Sequence, residues 1–254
     1  MINFDQQLKI FYSDKINDGG YFSGFGTKFQ QDARKIENII NFFTLNKLPL
    51  KKLVILNQIH SINICWYQKT NEQKIERIED TDGIITTESN TILTVRTADC
   101  LPLIFVEKES GVIGIAHLGW RGSLKRFAQK MIVEMEKIGA VKKKIIVAIG
   151  PGIGSCCYHI PEDRYYQFLE VFDGYSQKIF RFFGGKRYVD LTRLNYLLLR
   201  EAGLKKEQID FFPFCTFCDK NRFFSFRRDK KEEFGEMFHF ILKKEEQELF
   251  NSLS

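Results

Sequence analysis

The sequence predicts an α+β fold: a single domain over residues 1–254, with mixed β-sheets flanked by helices. Three observations carry that expectation. Four apolar, β-branched runs read as buried strands. Segments with helical apolar spacing occur among them without strict alternation, which disfavours a purely parallel βαβ architecture. No repeat, low-complexity tract or Pro/Gly/Ser-rich linker divides the 254 residues.

Taken in order, "QQDARKIENIINFFTL" (30–45) places its apolar residues at helical spacing and predicts an amphipathic helix. The four strand-like runs follow: 52–60 "KLVILNQIH", 90–100 "NTILTVRTADC", 111–117 "GVIGIAH" and 143–154 "KKIIVAIGPGIG". Between the last two, 123–139 predicts a helix capped by Ser123 and stopped by Gly139, with Phe127, Met131, Met135 and Ile138 on one face. Residues 190–203 repeat that design with Asp190 as cap and Gly203 as stop. "KIFRFFGGKRYVD" (178–190) predicts a hairpin around Gly184-Gly185. "RFFSFRRD" (222–229) reads as a short strand and 232–250 as a closing helix.

Composition narrows the class. At 44% hydrophobic the chain can build a sizeable core, yet no apolar stretch approaches the ~18 residues of a membrane span. "MINFDQQLKIFYSDK" has no basic flank leading into an apolar run, so the expectation is a cytoplasmic protein without a signal peptide. Six sparse cysteines read as reduced thiols. The net charge of +6 is spread along the chain without a basic–aromatic stripe, so neither nucleic acid nor membrane is expected as a partner. A monomer is expected.

Three strand-like runs end on, or run into, a residue that binds metals: His60, Cys100 and His117. Were these strands neighbours, two imidazoles and a thiolate would meet at one sheet rim. Such N and S donors suit zinc or copper, and three protein ligands with an open fourth position is the catalytic zinc pattern. The plainer reading, three separate hydrogen-bonded core residues, stands beside it. "CTFC" (215–218) is a lone CxxC pair, and the adjacent Cys156-Cys157 has the wrong spacing to complete a zinc site. His159 and His239 have no local partners. "GPGIGS" (150–155) either offers N–H groups to an anion or is a plain turn, and it lacks the lysine of a P-loop.

The segments "NQIH", "DGIIT", "TADCLPLIF", "AHLGWRG", "IGPGIGSCCY", "YVDLTRLNYLLLREAG" and "FFSFRRD" together resemble the YfiH-type laccase-domain family, over roughly residues 52–229. The resemblance implies a YfiH-like α+β fold and zinc held by His60, Cys100 and His117. It also implies activity on purine nucleosides: phosphorolysis of adenosine, inosine and methylthioadenosine, and deamination of adenosine. On that reading Cys100, His117 and Asp99 are catalytic, Asp99 as the acid/base, while Arg121, Arg227 and Arg228 grip phosphate or ribose. Trp120 either stacks on the purine or is a core residue.

Three alternatives remain at this level. One is a metal-free cysteine hydrolase with Cys100 as nucleophile and His117 as base, which fits the amidase editing of peptidoglycan precursors that the resemblance also implies. Another is a copper polyphenol oxidase, disfavoured because only His159 and His239 remain for a copper cluster. The last is a binding module without activity. Two departures from the family pattern bear on the substrate: Lys15 stands where an N-terminal arginine is expected, and the Gly-Arg pair after "RRD" is missing.

Overall fold

The computed structural model describes residues 1–69, 73–229 and 234–245. A seven-stranded mixed sheet runs, in spatial order, Ile2–Asp5, Ile10–Ser13, Tyr21–Phe25, Met237–Lys243, Thr91–Thr97, Lys52–Leu56 and Ile75–Ile78. A six-stranded mixed sheet runs Ile209–Phe211, Ile146–Ile149, Leu101–Glu107, Val112–Leu118, Gly83–Thr86 and Ile64–Trp66. A small third sheet holds the hairpin Phe180–Phe183/Lys186–Val189 and the short strand His159–Ile160. The α+β architecture is as the sequence predicts.

The period-two geometry of strands divides the apolar residues into three layers. Val95, Met237 and Ile241 of the first sheet meet Ile104, Val106, Ile113 and Ile115 of the second in the layer between them. Their sequence neighbours Ile92, Phe238 and Phe240 point outward, under Ile39, Phe42 and Phe43 of helix Ile36–Leu45. On the far side, Leu103, Phe105, Val112 and Ala116 pack against helices Phe127–Lys137 and Leu191–Glu201. Gly83 admits the first of these helices closely, since a Cβ there would lie 2.7 Å from the Met131 sulfur.

Several local expectations hold. Gly184 and Gly185 take φ of 55° and 70° in the hairpin turn, and Asp190 accepts a hydrogen bond from Arg193 N at its helix start. Others are corrected. The helix expected over 123–139 is two, Trp120–Leu124 and Phe127–Lys137, broken at left-handed Arg126 (φ 56°). Ser123 caps neither; its hydroxyl donates to Gly119 O within the first.

The expected closing helix is instead the strand Met237–Lys243, between Tyr21–Phe25 and Thr91–Thr97. Both its faces are buried, so "MFHFIL" is a continuous apolar run that fits either element by periodicity alone. The parts of that expected helix over 232–233 and 246–250 lie outside the described residues. Residues 222–229 form turns rather than a strand, because Ser225 N donates to the Asp229 carboxylate and Asp229 N to Ser225 O. The strand Leu101–Glu107, central to the second sheet, has no counterpart among the sequence expectations. Among the described residues no helix is long and apolar enough to cross a membrane.

Candidate metal centre

His60, Cys100 and His117 come together, though not at one sheet rim. His117 lies inside strand Val112–Leu118 of the six-stranded sheet. His60 follows Lys52–Leu56 of the seven-stranded sheet on a loop, at a left-handed φ of 59°. Cys100 occupies the turn by which the chain leaves that sheet at Thr97 and enters the other at Leu101. The centre is therefore built across the ends of two stacked sheets, which makes the rim-of-one-sheet expectation too simple.

Asp82 is the organiser. Its carboxylate is fully buried and accepts from Ile59 N (3.2 Å), His60 N (3.1 Å), Ser61 N (2.6 Å) and Ser61 Oγ (2.7 Å). It also accepts the Nδ1 proton of His117 at 2.7 Å, which turns His117 Nε2 toward the other two ligands. Burial opposes the charge on Asp82, but His117 and Ser61 hold its carboxyl below the usual carboxylate range.

The donor atoms lie within 4.8 Å of one another, with His60 Nε2 3.8 Å from Cys100 Sγ. The two imidazole rings stand 4.7 Å apart at 82°. Four-coordinate zinc, with bonds of about 2.0–2.3 Å, places its donors roughly 3.3–3.8 Å apart. Gly119 closes the cradle: a Cβ there would sit 3.0 Å from Cys100 Sγ and 3.1 Å from His60 Cδ2. Burial disfavours charge on both Cys100 and His117. Their mutual attraction, with His60 beside Cys100 and Asp82 behind His117, nevertheless draws the thiol down to about 7 and the imidazole up to about 10. The sulfur is thus biased toward the thiolate that binds metals.

A cleft of about 520 Å³ opens onto these three side chains. Trp120 forms one wall, with the guanidinium carbons of Arg121 and Arg164 at 4.6 and 4.2 Å from its ring centroid. Phe226 and Phe234, edge to face at 5.2 Å, line another part. Arg227 also lines the cleft, over the Tyr158 ring and donating to His159 O at 3.0 Å.

The remaining expected site residues are differently disposed. Both oxygens of Asp99 are engaged, by Thr216 Oγ1 (2.6 Å), Ser225 Oγ (2.9 Å) and Arg227 N (2.7 Å). These bonds hold it at a left-handed φ of 84°, a conformation that costs about 1–3 kcal/mol in a non-glycine residue. Arg228 does not reach the cleft. Its guanidinium donates to the carbonyls of Thr216, Phe217 and Phe223 and pairs with Asp229. Lys15 pairs with Asp210, away from the cleft.

The "GPGIGS" turn offers little to an anion, because Gly150 N donates to Pro102 O, Ile153 N to Asp99 O and Gly154 N to Cys215 Sγ. His239 is buried between the sheets against Thr97 Oγ1 at 2.8 Å, so with His159 outside the cleft neither can join a copper cluster at this centre. The two cysteine pairs that spacing sets apart, Cys156-Cys157 and Cys215/Cys218, are gathered together.

Sequence reasoning misses Asp82 and Arg164. The first carries a faint signal, a carboxylate directly before the buried "GIIT" strand. The second, inside the helix Glu162–Phe172, carries none.

An α+β protein with a His–Cys–His centre at the floor of an arginine-lined cleft, built across two stacked sheets, is thereby defined. The family model for multi-copper polyphenol oxidoreductase laccase matches residues 23–244, and the chain belongs to that laccase-domain family. It is 31% identical over 222 residues to the purine nucleoside phosphorylase YlmD of Bacillus subtilis, covering 85% of this chain and 79% of that one. It is 29% identical over 188 residues to adenosine deaminase RL5 of an unknown prokaryotic organism, covering 71% of each. The crystal structure of Bacillus licheniformis hypothetical protein YfiH superposes with a TM-score of 0.82 at 27% identity, over 92% of this chain and 96% of that one.

Proposed function

We propose that the protein is a zinc-dependent purine nucleoside enzyme, performing phosphorolysis of adenosine, inosine or methylthioadenosine and deamination of adenosine. The observation that carries this reading is the His60/Cys100/His117 cluster at the floor of a cleft walled by Trp120 and four arginines, Arg96, Arg121, Arg164 and Arg227. Relatives named for those two activities support it. Zinc fits better than a multicopper cluster because all four histidines of the chain are placed, and only two reach the centre.

In this reading His60 Nε2, Cys100 Sγ and His117 Nε2 hold the ion, and Asp82 fixes His117 in the tautomer that frees Nε2. When bound, zinc supplies a Lewis acid and lowers the pKa of a bound water from 15.7 to about 7. Arg121, Arg164 and Arg227 present guanidinium donors to phosphate or ribose oxygens. Aromatic faces on Trp120, Phe226 and Phe234 suit a purine ring. The Tyr158 hydroxyl is protonated at neutral pH, and burial pushes it further above its ordinary value, so it serves as a donor at the cleft wall. Asp99 acts as a positioning residue for the Cys100 turn, since its oxygens are occupied. In phosphorolysis a phosphate oxygen bonds to C1′, the glycosidic C–N bond breaks, and the freed base takes up a proton.

The test is to incubate zinc-replete protein with adenosine, with and without phosphate, and to separate the products. Adenine that forms only with phosphate means phosphorolysis, and inosine means deamination. Neither product, with metal bound, overturns the proposal.

A second reading, the cysteine amidase acting on cell-wall precursors, is favoured by one observation: the Cys100 thiol drawn down to about 7 beside the His117–Asp82 pair. Activity that survives a chelator but is abolished by a thiol alkylator would select it.

A further inference from the structure

Four cysteines outside the cleft form a second cluster. The sulfurs of Cys156, Cys157, Cys215 and Cys218 lie within 4.8 Å of one another, 3.3 Å for Cys157–Cys218 and 3.6 Å for Cys156–Cys218. All four are free thiols. One ion bound tetrahedrally by four thiolates at about 2.3 Å spaces its sulfurs about 3.8 Å apart. The cluster spans that spacing.

Local backbone geometry explains how neighbours in sequence aim at one point. Cys157 N and Tyr158 N both donate to Gly154 O, so the chain turns tightly through Cys156 and Cys157. On the other loop, Cys215 pairs with Gly152 as an isolated β-bridge, Thr216 N donates to Gly152 O, and Asp219 N donates to Cys215 O. The two loops are thus docked backbone to backbone. Gly154 N also donates to Cys215 Sγ at 3.1 Å, which fixes the sulfur against the first loop. A side chain at Gly154 would crowd the cluster, since its Cβ would lie 3.1 Å from Cys215 Cβ and 3.3 Å from Cys156 Sγ.

We propose that Cys156, Cys157, Cys215 and Cys218 form a second metal site, a closed tetrathiolate centre for one zinc ion. Four protein ligands leave no position for substrate, so the site is structural. Loading releases the thiol protons to solvent and joins the 152–158 loop to the 215–218 loop. The second loop bears on the cleft: Thr216, between Cys215 and Cys218, donates to Asp99 beside Cys100, and Arg228 holds the Thr216 and Phe217 carbonyls. The centre therefore staples the wall that positions Cys100.

The experiment counts zinc per chain in protein purified under reductant. Cys156 and Cys218 are exposed, so the double variant Cys156→Ser/Cys218→Ser keeps the apo fold. It is expected to lower the count by one. His60→Ala/His117→Ala empties the other centre and must keep this ion. Cobalt loaded into that second variant should give tetrahedral thiolate absorption, and the four-residue combination of both sets should not. Chelation should lower the Tm of wild type more than that of Cys156→Ser/Cys218→Ser. An unchanged zinc count in the serine variant overturns the proposal, as do disulfides among the four cysteines in protein alkylated at lysis. Failure of the cleft centre would show separately, as an unchanged count in the histidine variant.

Discussion

The protein carries two sulfur-bearing clusters, and they are built on opposite principles. The His60/Cys100/His117 centre has three mixed donors, a buried carboxylate behind it and an open cleft in front. The Cys156/Cys157/Cys215/Cys218 cluster has four like donors, no carboxylate among them, and two loops closed over it. A vacant position and a fixed imidazole tautomer suit turnover, whereas a complete sulfur shell suits stapling. Asp99 joins the two, since it precedes Cys100 and accepts a hydrogen bond from Thr216.

The largest effect separates the clusters outright. His117→Ala is expected to remove the zinc of the cleft and nucleoside turnover while leaving the fold intact, and metal analysis beside the adenosine assay checks it. A full zinc complement in that variant would break the contrast. Asp82→Asn tests the carboxylate behind the open centre. Its zinc affinity should fall about 10–100-fold in a competition titration, with no effect on the cysteine cluster.

Arg228→Ala probes the other side. It frees the carbonyls of Thr216, Phe217 and Phe223, so stability in denaturant should fall by about 1–3 kcal/mol. Cleft zinc should be retained. The smallest effect at neutral pH belongs to a residue in neither cluster. Burial, with the charge of His117 adding to it, lowers the pKa of His239 from 6.5 to about 3. Between those values the unfolded chain binds a proton that the folded protein refuses, so His239 makes stability fall as pH falls through that window. His239→Gln should flatten the slope, by up to about 1.4 kcal/mol per pH unit, in denaturation series from neutral pH to pH 4. A slope left unchanged would show that the buried ring does not set it.

What the sequence makes legible follows the range of the forces involved. The turn at Gly184-Gly185, the Asp190 cap and the apolar face of Phe127, Met131 and Met135 are local, and each is read within a few residues. The three donors of the cleft stand out by residue type near the ends of apolar runs. Asp82 does not, because its partners lie 22 and 35 residues away and nothing nearby marks them. The cysteine cluster was hidden by spacing rules that assume separated pairs, whereas a turn closed on Gly154 lets adjacent cysteines converge. The strand at 237–243 was mistaken for a helix because burial on both faces erases the alternation that identifies a strand.

That strand sets an order for assembly. It lies between Tyr21–Phe25 and Thr91–Thr97, and its His239 meets Thr97 across 142 residues of sequence. During synthesis the seven-stranded sheet remains in two pieces with a gap at its middle until Met237–Lys243 has left the ribosome. Until then Ile92, Leu93 and Val95 lie along an unpaired strand margin, and such margins recruit other chains. The nascent protein is therefore prone to aggregate between the emergence of Thr91–Thr97 and that of Met237–Lys243, and chaperones that shield exposed strands would matter most in that interval.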